Sequence, residues 1–240
     1  MNGVLPNQGI EKLIEIGSIT SDVPIDPEQI QPASLDLRLS GKAFRIRASF
    51  LPGSREKVED RLKSLKMHEI DLRDGAVLEK GCVYLVPLLE ELNLSQDIQA
   101  AANAKSSPGR LDLLTRVITN SGEEFDRVSS GYCGNLYAEI CPRSFSVLVR
   151  QGMKLNQIRF RNTNTTLIDE DLTALHAQET LVPGNAIIDD GLGFSVDLRP
   201  SQGDLVGYRA KPHTGIIDLD LIAVSYTHLT QPTSDLVKIS

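Results

Sequence analysis

Two groups of residues in this chain have the types and spacing for chemistry. The first is Ala104-Lys105-Ser106-Ser107-Pro108-Gly109-Arg110-Leu111, which sets cations, hydroxyls and a flexible glycine between two apolar runs. Lysine and arginine supply charge, serine hydroxyls and backbone N–H groups donate, and glycine lets the backbone come close, so the stretch suits a polyphosphate. A solvated turn between two strands has the same composition. The second is Glu139, the polar member of an otherwise apolar run that follows Gly131-Tyr132-Cys133-Gly134. A carboxylate in a half-apolar pocket near Arg and Ser makes a good general base. A solvent-facing strand carboxylate gives the same pattern.

Other chemistries find little support. Cys82, Cys133 and Cys141 are scattered singly, and His68, His176, His213 and His228 lack H-E-x-x-H spacing. His176-Ala177-Gln178-Glu179 has no cysteine pair downstream of the kind a zinc nucleoside deaminase needs, so no zinc is expected. There is no G-x-S-x-G elbow for a serine hydrolase. Cys133 and Cys141 read as small core residues. The net charge is −7 over 240 residues, with no basic half or tail, which argues against a nucleic-acid partner. No apolar run reaches the ~20 residues of a membrane helix, and Met1–Pro6 does not read as a signal peptide. The expected compartment is a reducing cytoplasm, with free thiols.

The elements that must position these residues are mostly short strands. Gln8–Gly17 predicts an amphipathic helix with Ile10, Leu13 and Ile14 on one face. Ser54–Lys66 predicts a second helix, with Ser54 as N-cap and Glu56 in its first turn. Gln31–Leu39 alternates, with Leu35, Leu37 and Leu39 on one face and Ser34, Asp36 and Arg38 on the other, where Asp36 and Arg38 suit a cross-strand ion pair on a wet face or a carboxylate near a site. Further strands are expected at Cys82–Leu88, Leu94–Ala102, Leu111–Thr119, Asn135–Ile140, Phe145–Arg150 and Leu155–Phe160, with a polar loop over Asn120–Ser130. Such a pattern predicts an all-β sandwich or barrel with minor helices.

Ser34-Leu35-Asp36-Leu37-Arg38 recurs as Ser195-Val196-Asp197-Leu198-Arg199, and each copy precedes a basic, aromatic-containing stretch. The repeat predicts one module over residues 1–182, the start of a truncated second copy over 183–223, and a polar tail at 224–240 that resembles adapter read-through and reads as non-native.

Four segments, in order, resemble the dCTP deaminases of the dUTPase-like superfamily: Gln31–Leu39, Lys105–Leu111, Gly131–Glu139 and Gly152–Phe160. The helices and the repeat look most like the long, two-module bacterial form. The resemblance implies a dUTPase-like β-barrel (β-clip) and hydrolytic deamination of dCTP to dUTP and ammonia without a protein-bound metal. It implies Glu139 as the general base, Ser106 and Arg110 on the attacking water, and Lys105 and Ser107 on the phosphates. Backbone groups around Val117 to Asn120, Thr119 and Asn120 among them, and at Leu136 and Tyr137 would read the base, Tyr132 would lie near the sugar, and Gln157 would complete the substrate set. Mg2+ is expected through the triphosphate, dTTP as a feedback ligand, and a homo-oligomer whose site forms between subunits or modules. The family's Ile-Asp-Pro-Gly turn is replaced by Val128-Ser129-Ser130-Gly131, which leaves the sugar contact unassigned. A dUTP diphosphatase, a bifunctional enzyme and a non-catalytic nucleotide-binding module are the alternatives.

Overall fold

The computed structural model describes residues 3–162, 166–195, 207–211, 215–221 and 234–237. Helix α1 (Asn7–Glu15) leads into β1 (Ile19–Ser21), the hairpin of β2 (Ile30–Gln31) and β3 (Ser34–Arg38), and then β4 (Lys42–Ile46). Next come α2 (Val58–Leu65), β5 (Lys66–Asp71), β6 (Ala76–Leu78), the long β7 (Val83–Asn93) and β8 (Gln99–Ala104). A single helical turn, α3 (Ser106–Gly109), precedes β9 (Leu113–Thr119), β10 (Arg127–Val128), β11 (Cys133–Pro142), β12 (Val147–Val149) and β13 (Lys154–Arg161). Helix α4 (Asp169–Glu179), β14 (Gly207–Ala210), β15 (Ile217–Asp218) and β16 (Ser234–Val237) follow.

A six-stranded sheet runs β5-β4-β7-β11-β9 with β1 added beside β7, and a five-stranded sheet runs β10-β8-β13-β3-β2. Their facing sides hold the main core, which includes Leu35, Leu37, Val86, Val117, Leu136, Ala138, Ile140, Ile158 and Phe160. Strand alternation explains the choice: Leu136, Ala138 and Ile140 point one way from β11, while Tyr137 points the other. That second face is also covered. Val58 and Leu62 of α2, with Phe50, pack on Leu85, Ile118 and Tyr137. The six-stranded sheet is therefore buried on both sides near β11, and a polar residue there has no ready access to bulk water.

Three expectations change. Helix α2 begins at Val58 with Lys57 as N-cap, so Ser54 is not the cap and Glu56 precedes the helix; Glu59 and Asp60 carry the acidic first turn. The Val58 N–H is satisfied from a distance, by the carbonyl and the side-chain oxygen of Asn120, each at 3.1 Å. Second, the polar face of β3 is not wet: all five residues are buried. Arg38 and Asp36 do not pair with each other. Arg38 Nε donates to Glu90 Oε1 at 2.7 Å, and Lys105 pairs with Asp36. Third, Cys133 is exposed and only Cys141 is a buried core residue. The recurrence at 196–199 and residues 222–233 lie outside the described residues; Ser234–Val237 pairs antiparallel with Gly207–Ala210.

Glu90 is 0% exposed and ties three chain segments together. Its oxygens accept from Arg38 Nε at 2.7 Å, from the Arg38 backbone N–H at 2.8 Å and from Gln29 Nε2 at 2.9 Å. The Arg38 guanidinium also donates to the carbonyls of Val23 and Pro24, each at 2.9 Å, which pins the loop before β2. Removing one partner strands a buried charge, so Glu90→Gln should lose about 3–5 kcal/mol in urea unfolding. Replacing both, as Arg38→Met with Glu90→Leu, should recover most of that loss.

Candidate functional site

Glu139 is 2% exposed and lies on the face of β11 that α2 covers. In the β9–β11 ladder it stands directly opposite Arg116. Arg116 Nη2 donates to Glu139 Oε1 at 2.5 Å and to Ser49 Oγ at 3.2 Å, and its guanidinium lies 3.6 Å from the centre of the Phe125 ring. Glu139 Oε2 is buried with no hydrogen-bond partner. One oxygen is thus held by a cation, and the other is bare. The bare oxygen keeps its lone pairs open to an incoming donor.

The expected neighbours, Arg and Ser, are present, but within this chain they are Arg116 and Ser49. Sequence reading passed over Arg116. Its signal was alternation: Leu113, Thr115 and Val117 turn inward, so Arg116 shares the outward side of β9 with Ile118. Only the strand register, invisible in the sequence, sets it against Glu139.

Ser106 and Arg110 belong to the helical turn that precedes β9, and that strand starts three residues before Arg116. At about 3.4 Å per residue, roughly 10 Å of strand separates the start of β9 from Arg116, the residue opposite Glu139. The turn's two sides differ. Lys105 and Ser107 line a pocket of about 600 Å3, whose lining includes neither Ser106, Arg110 nor Glu139. Lys105 reaches Asp36, whose Oδ1 is buried without a partner. Gln157 lies on β13 opposite Asp36 and accepts from Ser34 Oγ at 3.2 Å.

Thr119, Asn120, Tyr132, Leu136 and Tyr137 do come together. Leu136 opposes Thr119 and Tyr137 opposes Ile118 across the β9–β11 ladder. Tyr132 Oη accepts from the Asn120 N–H at 2.8 Å and donates to the Asn135 carbonyl at 2.6 Å. Burial, the largest cause, pushes its phenol up to about 12. Tyr137 donates to Glu59 Oε1 at 2.5 Å, which fastens α2 to the sheet; burial and then this bond raise its phenol well above its ordinary value. The turn after Thr119 requires a glycine, because a Cβ at Gly122 would stand 2.5 Å from Thr119 Oγ1. Leu136 is fully buried in the main core, so only its backbone can meet a ligand.

Asp126 closes the loop beside this group from a left-handed backbone, φ 61°. Its Oδ1 accepts from the Val117 N–H at 2.7 Å, and its own N–H donates to the Val117 carbonyl at 2.8 Å. Desolvation raises its proton affinity above that of an ordinary carboxylate, partly offset by the Val117 hydrogen bond and the Arg116 charge. A raised folded-state value means that stability falls as pH climbs from the unfolded value of 3.8 through the folded one. Asn accepts the same hydrogen bond and tolerates the left-handed backbone. Asp126→Asn should therefore match the parent in thermal midpoint below pH 4 and exceed it at pH 7; a parent that gains on the variant as pH rises would contradict this cause.

Comparison with known proteins agrees with this architecture. Residues 1–164 match the family model of the 2'-deoxycytidine 5'-triphosphate deaminase (DCD) N-terminal domain, and residues 168–230 match the C-terminal domain. A "dCTP deaminase, dUMP-forming" of Tropheryma whipplei is 32% identical over 151 residues, which cover 62% of this chain and 70% of that protein. One of the same name from Beutenbergia cavernae is 29% identical over 158 residues, 65% of this chain and 78% of that one. The crystal structure of 2'-deoxycytidine 5'-triphosphate deaminase from Agrobacterium tumefaciens is 45% identical, superposes with a TM-score of 0.86, and covers 99% of this chain and 71% of its own. With both halves matched and the dUTPase-like fold shared, the chain belongs to the 2'-deoxycytidine 5'-triphosphate deaminase family.

Proposed function

We infer that the protein is a hydrolase that deaminates dCTP. The observation that carries the mechanism is the buried Glu139, with Oε1 held by Arg116 and Oε2 bare. In this reading Oε2 takes a proton from water as the water oxygen bonds to C4 of the cytosine ring. That proton is passed to the departing amino group, the remaining hydroxyl proton moves to N3, the C4–N bond breaks, ammonia leaves, and a carbonyl remains at C4. Ser106 and Arg110 orient the water and stabilise the charge that develops, while Lys105 and Ser107 hold the phosphates. Backbone groups at Thr119, Asn120, Leu136 and Tyr137 read the base edge, Tyr132 faces the sugar, and Gln157 contacts the substrate. Mg2+ is assigned to the triphosphate oxygens, where it offsets phosphate charge; no cluster of three or more His, Cys, Asp or Glu among the described residues offers a protein cage. No helix among the described residues is long and apolar enough to cross a membrane. A cytoplasmic enzyme with dTTP as feedback ligand completes the reading.

Mass spectrometry of dCTP incubated with the protein and magnesium should show conversion to the uracil nucleotide. Glu139→Gln should lower turnover by about 10² to 10⁴ and still bind dCTP, because a glutamine oxygen can keep the Arg116 contact. Unchanged turnover would remove Glu139 from the mechanism.

The separation of Glu139 from the Lys105–Arg110 turn supports a site shared between copies in a homo-oligomer. Co-expressing Glu139→Gln with Arg110→Ala, each strongly impaired alone, should then restore part of the activity; chains that assemble but gain nothing over the single variants would place the site within one copy.

The names of the relatives favour a second product, dUMP. Release of pyrophosphate alongside ammonia selects that bifunctional reading, and release of ammonia alone selects dUTP.

A further inference from the structure

The pocket of about 600 Å3 beside Lys105 and Ser107 is walled on its far side by residues of the second half of the chain. Arg150 and Lys154 bring two more cations to it, from the turn that joins β12 to β13, and Asp220 lies on its lip. Gly152 turns between them at φ 83°, and both side chains line the pocket.

Arg150 is fixed in place. A Cβ at Gly75, itself at φ 93°, would stand 3.1 Å from Arg150 Cγ, so the glycine leaves room for the arginine stem. Two carboxylates then share one guanidinium. Asp218 binds it as a fork, with Nη1 to Oδ1 at 2.8 Å and Nη2 to Oδ2 at 3.1 Å, and Asp220 also accepts from Nη1. The side chains differ in exposure: Asp218 is 27% accessible and Asp220 is 53%. Their segment is anchored by other means. β15 pairs parallel with β12, the Ile217 N–H donates to the Ser146 carbonyl at 3.0 Å, and Ile217 and Leu219 belong to the main core.

The charge balance is unusual for an anion pocket. Lys105 is engaged by Asp36, and Arg150 by Asp218 and Asp220, so two of the pocket's three cations are matched by carboxylates of the chain itself. One fork suffices to orient Arg150. The second carboxylate, the more exposed one, adds repulsion against Asp218 and occupies an Nη1 direction that a phosphate oxygen could take.

We propose that Asp220 is an internal competitor for this pocket: a polyphosphate held by Lys105, Ser107, Arg150 and Lys154 displaces the Asp220 carboxylate, while Asp218 keeps the arginine oriented. The ligand class, the polyphosphate tail of a nucleotide, rests on the deaminase reading. The second half of the chain then tunes how tightly the first half holds phosphate. Asp220 can leave without unfolding the segment, because Ile217, Asp218 and Leu219 carry its anchorage.

The test is calorimetric binding of inorganic tripolyphosphate to the full chain, with dCTP turnover measured in parallel. Asp220→Asn should tighten tripolyphosphate binding about two- to fivefold at low ionic strength, the range expected for loss of an exposed competing ion pair, and the gain should shrink with added salt. Asp220→Ser should behave alike, and Lys154→Met should weaken binding. Unchanged or weaker binding by both Asp220 variants, or indifference to Lys154→Met, overturns the proposal. Turnover of dCTP by the parent with no Asp220 effect rejects the competitor and leaves the deaminase reading standing. An Asp220 effect without turnover does the reverse.

Discussion

The buried Glu90 carboxylate is the constraint on which the rest of the structure depends. It sits on β7, the long strand of the six-stranded sheet, and grips both the side chain and the backbone of Arg38 on β3 of the other sheet. A charge in that position is tolerable only when fully paired and hydrogen-bonded. Gln29 and the loop carbonyls at Val23 and Pro24 complete that shell, so the N-terminal segment is ordered by electrostatics as much as by apolar packing. β3 is thereby fixed in depth and register, and with it Asp36, the partner of Lys105. The turn that begins at Lys105 is thus held at second hand, through Asp36, by a pair anchored on the same strand.

The same logic, a carboxylate fixed by a single cation, recurs at three places with three different outcomes. Arg38–Glu90 is closed on every side and is structural. Arg116–Glu139 is closed on one oxygen and open on the other. Arg150 carries two carboxylates, the second of them more exposed than the first. What separates them is the number of partners at each oxygen and the water that can reach them, not the residue types.

Much of the fold was legible because its strands alternate cleanly. Leu136, Ala138 and Ile140 announced the inward face of β11, and Leu35 and Leu37 that of β3. Two kinds of feature were not. Helix α4 buries none of its residues, so it carries no apolar stripe by which to recognise it. Through-space partners were equally hidden: Ser54 has the chemistry of a cap, yet Asn120, far along the chain, supplies the oxygens at Val58. Glu139 stood out as a carboxylate in an apolar run, and the Lys105–Arg110 stretch by its composition. That Arg116 rather than Arg110 meets Glu139 within the chain depends on strand register, which the local pattern does not encode.

The parallel pairing of β15 with β12 also bears on the order in which the molecule comes into being. Arg150 and Asp218 are 68 residues apart in sequence, and Ile217 and Leu219 fill part of the same core as β11 and β13. Such a distant contact must wait for the intervening chain, which slows its closure relative to the local hairpins. During synthesis the two large sheets assemble while β12, already paired with β6, still lacks β15 on its other edge. Until residue 221 has left the ribosome, that strand edge and the core beneath it stay open, so the nascent protein passes through an interval in which it is mostly folded and still adhesive.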